Sequence, residues 1–512
     1  MHDAPVIRLH EGDGVVIARR ALPPGTPVAP NVLARQRIPP GHKVATRGHA
    51  PGEEIRRYGQ VIGFATQPIA PGEWVHVQNC AMGDFARDYA FGAERRPTDY
   101  APVPAHFLGF RRAPGDGYGR AGTRNSIGII TSVNCAAHVA DLIARHFARD
   151  PFGDGPGRLD AFAHVDEVVA LTHKTGCGMT EGEPLRVLRR TLAGFARHPN
   201  FSHVIAIGLG CEVNQLGGLL EEQRLLGRLR TLTIQEEGGT RKTVERGIAF
   251  VREVLAEADS ARREPVPASE LCVALQCGGS DGYSGISANV ALGCASDLVV
   301  RHGGTVILSE SPETYGAEHL LTRRAVTRET GEKLVEVMRW WEEYTAREGA
   351  EMNSNPSPGN KAGGLTTILE KSLGAMAKAG TTELVDVVRY AEPVTAKGFV
   401  FMDTPGYDPV GATGQVAGGA NLLCFTTGRG SVFGMKPAPS LKLATNTPMY
   451  DRMQEDMDIN CGTVLDGVES VEECGARIFS QMLRVASGEK TKSEALGFGD
   501  AEFAPWVLGA TM

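Results

Sequence analysis

Leu271-Cys272-Val273-Ala274-Leu275-Gln276, followed at once by Cys277-Gly278-Gly279-Ser280-Asp281-Gly282, is the stretch from which the fold is read. A short, largely apolar run suits a strand buried on both faces, and the glycine-rich polar turn suits the loop where such a strand stops. Seven further runs share this texture: Ser126 to Val133, Val168 to Thr172, Val204 to Gly208, Thr305 to Leu308, Phe399 to Met402, Leu422 to Thr426 and Leu441 to Ala444. Helix-length amphipathic stretches such as Val244 to Ala258 lie between them, the alternation that builds a parallel α/β sheet. Pro265-Val266-Pro267 reads as a seam between an earlier α/β unit and a later one.

Towards the N-terminus the texture changes. Pro24-Gly25, Pro40-Gly41, Pro51-Gly52 and Pro71-Gly72 punctuate short β-rich runs, and Pro-Gly favours type II turns, so a small all-β module is expected there. From Cys80 to Phe107 no period is sustained, which reads as a linker. The expected organisation is therefore a β module over 1–82, a linker over 83–106, an α/β domain over 107–265 and a Rossmann-like parallel-sheet domain over 266–512.

Composition bounds the function. The 512 residues are 42% hydrophobic and 22% charged, with a net charge of -7, which argues against a nucleic-acid surface. A small anionic substrate must then meet locally placed cations. The first residues lack the plan of a signal peptide and no apolar run reaches membrane-spanning length, so a soluble cytoplasmic protein is expected. Ten cysteines in such a chain read as reduced thiols or metal ligands rather than disulfides, and none forms a Cys-x-x-Cys pair.

In open parallel sheets, ligands bind beyond the carboxyl ends of the strands. Four successive runs end on a cysteine: Asn134-Cys135, His173-Lys174-Thr175-Gly176-Cys177, Gly210-Cys211-Glu212 and Cys277. The next gives Ser309-Glu310. Any one cysteine is more often a small core hydrophobe than a ligand, but recurrence at equivalent places favours metal. Thiolates, His173 and carboxylates converging at one edge suit Fe²⁺, another divalent ion or an iron–sulfur cluster.

Other motifs narrow the class. Gly208-x-Gly210 lacks the third glycine of a dinucleotide loop, since Val213 stands there, which disfavours a nicotinamide dehydrogenase. Gly238-Gly239-Thr240-Arg241-Lys242-Thr243 imitates a phosphate loop in composition alone. Asn355 to Gly364, with Asn360 and Lys361, is rigid and donor-rich enough to clamp a carboxylate or hydroxyls, the alternative being a structural Ω-loop. Arg429, beyond a buried strand, is a natural carboxylate partner. In the β module, the turn at Pro40-Gly41 presents His42 and Lys43 together.

Taken together, Ile38-Pro39-Pro40-Gly41-His42-Lys43-Val44-Ala45, Gly122-Thr123-Arg124-Asn125, Gln276 to Asp281, Asn355 to Gly364 and Phe425 to Gly430 resemble the altronate/galactarate dehydratase family across nearly the whole chain. The resemblance implies a SAF-type β-clip module, second and C-terminal α/β domains, a homodimer and iron or another divalent ion. It also implies dehydration of an aldonate or aldarate to a 2-keto-3-deoxy acid. The expected site has Cys135, Cys177, Cys211 and Cys277 on the metal, His173, Lys371 or Glu310 as base, and Arg429 on the substrate carboxylate. His42, Lys43, Arg124, Asn125, Ser280, Asp281, Asn360 and Lys361 complete the substrate contacts. A sulfolactate-type carbon–sulfur lyase and a non-catalytic sugar-acid-binding protein are the rival readings.

Overall fold

The computed structural model describes residues 4–84, 86–112, 117–152 and 157–512. Its largest element is a seven-stranded, wholly parallel sheet in the order Leu384–Val388, Gly398–Met402, Thr305–Leu308, Cys272–Cys277, Leu422–Thr427, Ser440–Ala444, Ile459–Asn460. The strand Cys272–Cys277 is buried along its whole length. The chain winds outward from it on one side through Thr305–Leu308, then returns to continue on the other through Leu422–Thr427. The carboxyl end of Cys272–Cys277 is thus the topological switch point, where parallel sheets open a crevice.

A second parallel sheet, of four strands, runs Val168–Leu171, Ser126–Thr131, Phe201–Gly208, Arg230–Thr233. Its chain enters and leaves the larger domain through an antiparallel pair, His106–Gly109 with Glu264–Pro267. The Pro265-Val266-Pro267 seam is therefore one strand of a neck. Helix Glu183–Ala196 from this domain packs on Asp408–Ala417 of the other, and the two share one apolar cluster that includes Leu192, Phe195, Val416 and Leu423.

The N-terminal module is all-β, as expected: Val6–Ile7, Val15–Ala18, Lys43–Ala45 and Trp74–Val75 form one antiparallel sheet, and Glu54–Arg57, Gln60–Ala65 and Cys80–Ala81 another. The stretch expected as linker (83–106, of which Phe85 lies outside the described residues) is laid along the large domain, with Gly92 and Glu94 bonded to the backbone of Thr322 and Arg323. The module docks at the carboxyl edge of the seven-stranded sheet. The approach is close enough that a Cβ at Gly282 would collide with the carbonyl oxygen of Gly41, so glycine is required there.

Candidate active site

At the switch point the central strand delivers Cys277, and the neighbouring strand Thr305–Leu308 delivers Glu310. Glu310 adopts a left-handed conformation (φ 66°, ψ 59°), which costs a non-glycine residue about 1–3 kcal/mol. It is held by hydrogen bonds from Glu310 N to Thr404 Oγ1 (2.9 Å) and from Ser311 N to Thr404 O (2.9 Å). The sharp turn, continued by a short 3₁₀ helix over Ser311–Glu313, brings Glu313 back beside Glu310. Cys277 Sγ lies 3.6 Å from a carboxylate oxygen of each. Among the described residues these three form the one group of at least three His, Cys, Asp or Glu whose ligand atoms all lie within 4.8 Å of one another.

Two ammonium groups face this trio from a single element. Helix Ile368–Met376, capped by Thr367, continues as a 3₁₀ turn over Ala377–Ala379. Lys371 and Lys378 are seven residues apart, about two turns, and so share a face. Lys378 Nζ donates to Cys277 Sγ (2.9 Å) and Glu310 Oε2 (2.8 Å). Lys371 Nζ donates to Glu313 Oε1 (2.6 Å) and Asn355 Oδ1 (2.9 Å). Asp408 closes the cleft over Gly278, where a Cβ would strike its carboxylate. Arg429, exposed, leans over Gly279 at the rim.

Burial governs the protonation of this group. It pushes the Cys277 thiol far up, helped by Glu310. Burial and then repulsion by Glu313 raise Glu310 to about 7, although Lys378 opposes them. Burial, Glu310 and Glu313 together raise Asp408 to about 8. Burial disfavours charge on Lys378, but Cys277 and Glu310 outweigh it and keep the ammonium protonated. Glu313 and Cys277 do the same for Lys371. Glu310 Oε1, fully buried, has no hydrogen-bond partner. An orphaned carboxylate oxygen beside a thiol and a second carboxylate is the donor set a divalent transition-metal ion takes up.

The β module reaches the site through Glu370, one residue before Lys371. Lys43 Nζ donates to both oxygens of Glu370 (2.9 and 2.7 Å) and Arg57 Nη1 to one (2.6 Å), all fully buried. Despite burial, these two cations hold the Glu370 carboxyl at about 2. His42 accepts from Trp74 Nε1 at Nδ1 (3.1 Å), so its Nε2 carries the proton and donates to Ala362 O (3.2 Å). Lys43 and His42 thus fasten the module to the Asn355–Gly364 loop and the helix after it, and their polar atoms are spent on protein partners.

Several other expected contacts are corrected by the hydrogen bonding. Arg124 is saturated by Glu494 and by the carbonyls of Thr123, Val485 and Glu489, which stitch the two α/β domains together. Asn125 bridges Arg112, His164 O and Ala258 O. Asp281 accepts from Tyr283 N, Ser284, Thr445 and Asn446, and Asn360 caps its own helix and donates to Ser280 O. Lys361 is half-buried, and it adds a little to the burial, Lys43 and His42 that lower His76. His173 bonds Thr131 O through Nε2 (2.8 Å) and receives Thr175 N at Nδ1 (3.3 Å), leaving no ring nitrogen to act as a base. Nor do the four cysteines share one pocket: Cys277 is buried in the seven-stranded sheet, whereas Cys135, Cys177 and Cys211 are exposed at the edge of the four-stranded one. Glu313, Lys378 and Asp408 were not among the residues the sequence singled out for catalysis.

These features define an α/β enzyme with a buried thiol, paired carboxylates and two lysines at a sheet switch point. The SAF domain of altronate/galactarate dehydratases matches residues 4–83, the second domain of D-galactarate dehydratase/altronate hydrolase matches 109–259, and the C-terminal domain of D-galactarate/altronate dehydratases matches 268–511. An altronate dehydratase of Bacillus subtilis (strain 168) is 34% identical over 99% of both chains. The galactarate dehydratase (L-threo-forming) of Escherichia coli (strain K12) is 38% identical over 94% of this chain and 93% of its own. The beta subunit of a (2R)-sulfolactate sulfo-lyase from Chromohalobacter salexigens is 31% identical over 76% of this chain and 95% of its own. The chain belongs to the altronate/galactarate dehydratase family.

Proposed function

We propose that this protein is a sugar-acid dehydratase that converts an aldonate or aldarate to its 2-keto-3-deoxy acid, working as a cytoplasmic homodimer. The observation that carries this reading is the buried Cys277–Glu310–Glu313 group faced by Lys371 and Lys378. Removing the proton beside a carboxylate creates an enolate of double negative charge, so fixed cations in a site closed to water are the first requirement. Two ammonium groups held protonated supply them.

Cys277, Glu310 and Glu313 would hold a divalent ion, with mixed thiolate and carboxylate donors favouring Fe²⁺. Bound there, the ion supplies Lewis-acid stabilisation of the developing oxyanion. Lys378 orients Cys277 and Glu310, and Lys371 orients Glu313. Asp408 Oδ2, over Gly278, takes the C2 proton and returns it to the departing C3 hydroxyl, so that one carboxylate serves both halves of the elimination and water leaves. Arg429 at the rim receives the substrate carboxylate. The test is an anaerobic assay of Fe²⁺-loaded protein against altronate, galactarate, related aldonates and sulfolactate. A 2-keto acid from a sugar acid is expected, and its absence with every sugar acid would overturn the proposal.

A further inference from the structure

We propose that Asp403 is a positioning residue for the metal ligands: its carboxylate, held by Trp341 and through it by Trp506 of the C-terminal segment, fixes the turn that presents Glu310 and Glu313. The inference rests on the ligand assignment of Cys277, Glu310 and Glu313 made above and adds the residues that set their geometry. Strain is the reason such a device is needed. Glu310 sits in the left-handed region (φ 66°), and a conformation strained for a non-glycine residue persists only where its surroundings over-determine it.

Asp403 follows the strand Gly398–Met402, which lies beside the strand Thr305–Leu308 that delivers Glu310. Ser311, the residue after Glu310, donates from Oγ to Asp403 Oδ1 (2.6 Å) and accepts at Oγ from Thr404 N (3.3 Å). With Ser311 N already bonded to Thr404 O, this residue is tied on both its backbone and its side chain. It also begins the 3₁₀ helix that turns Glu313 back towards Cys277. Trp341 Nε1, from helix Arg328–Arg347, donates to the same Asp403 oxygen (2.8 Å). A buried indole N–H needs an acceptor, and here the acceptor is the carboxylate that takes the Ser311 hydroxyl.

Trp341 is held in turn by an aromatic stack. Its ring lies parallel to that of Trp506, with centroids 5.5 Å apart, and Trp340 meets both edge-on at 5.3 and 5.7 Å. The same apolar cluster takes in Tyr315, two residues past Glu313, and Ile368 and Leu369 on the helix of Lys371. Trp506 N donates to Tyr390 Oη (3.2 Å), whose own proton goes to Val410 O (2.9 Å) on the helix that Asp408 opens. The segment is pinned on either side of Trp506: Phe503 is buried in the cluster shared by the two α/β domains, and Met512 N donates to Gly178 O (2.9 Å). Trp506 is thus a fixed ring face, and it bears on the ligand turn through Trp341 and Asp403.

The experiment is anaerobic titration of the full chain with Co²⁺, an optically readable stand-in for Fe²⁺, followed by the thiolate-to-metal charge-transfer band that a bond to Cys277 produces. Wild type should bind with that band and Cys277→Ser without it. Asp403→Ala should bind about 10–100-fold more weakly, the usual cost of removing a residue that orients metal ligands. Asp403→Asn, whose amide oxygen still accepts from Ser311 and Trp341, should bind as wild type does. Trp506→Ala should bind more weakly and Trp506→Phe, which keeps the stack, as wild type; this pair tests the proposal even where Asp403→Ala fails to fold. Unchanged cobalt affinity in Trp506→Ala, or in a folded Asp403→Ala, would overturn the proposal and leave the ligand assignment standing. No band in wild type, or a band that survives in Cys277→Ser, would overturn both.

Discussion

Lys378 is the residue on which the electrostatics of the site turn, because its ammonium touches both Cys277 Sγ and Glu310 and nothing else neutralises them directly from that side. In Lys378→Met the buried pair loses one member, which costs about 3–5 kcal/mol where a charge is left uncompensated. Glu310 answers by holding its proton more tightly, which also removes a metal donor. The expected outcome is a lower melting temperature and a loss of turnover of at least about 100-fold; wild-type kinetics would remove Lys378 from the site. For Asp408→Asn the expectation differs, since the half-buried side chain keeps its shape and the change removes a carboxyl that Glu310 and Glu313 repel. Turnover should fall about 10²–10⁴-fold, the usual contribution of a positioned acid–base group, with the melting temperature unchanged.

At the scale of elements, helix Ile368–Met376 is both the carrier of Lys371 and the dock for the β module. Glu370→Gln leaves Lys43 and Arg57 buried with no carboxylate, so a destabilisation of about 3–5 kcal/mol is expected by urea unfolding, with earlier proteolysis of the module. The same carboxyl sets a pH dependence. Its folded value lies near 2, below the ordinary 4.5, so its stabilisation is complete above 4.5 and is lost as pH falls towards 2. Buried imidazoles act at higher pH. Burial holds His42, His76, His173 and His198 at about 4, below the ordinary 6.5. They are neutral in the fold and protonate first in the unfolded chain, so stability is full above 6.5 and falls as pH drops towards 4. Urea midpoints at about pH 7 and about pH 5 check this; equal midpoints would contradict it.

The elements legible beforehand were those whose burial is written in composition. Seven of the eight apolar runs became central strands and the eighth, Val168–Leu171, an edge strand that is buried throughout, while the edge strands Arg230–Thr233, Leu384–Val388 and Ile459–Asn460 escaped because they are short or partly solvated and lack an unbroken apolar signature. Glu310 was legible as the residue after a strand. Lys378, in a plain Ala-Lys-Ala turn about a hundred residues from Cys277, carries no local mark, and Asp408 opens an ordinary helix. The four strand-end cysteines were read as one pocket because sequence shows where each strand stops but not which sheet it joins.

Across the whole molecule, two parallel sheets each open a crevice at their own switch point, and the β module covers the edge of the larger one. That division puts the charged, buried chemistry in one domain and three exposed thiols in the other. Arg124 with Glu494, and the shared apolar cluster, keep the two domains in register. Among the described residues no helix is long and apolar enough to cross a membrane. The most direct measurement of the central claim is an anomalous difference map, collected at the iron edge, from crystals of the protein loaded anaerobically with Fe²⁺. A peak bounded by Cys277 Sγ, Glu310 and Glu313, lost in crystals of Glu313→Gln, is the predicted result. Iron-loaded crystals of active protein with no density between those three side chains would contradict it.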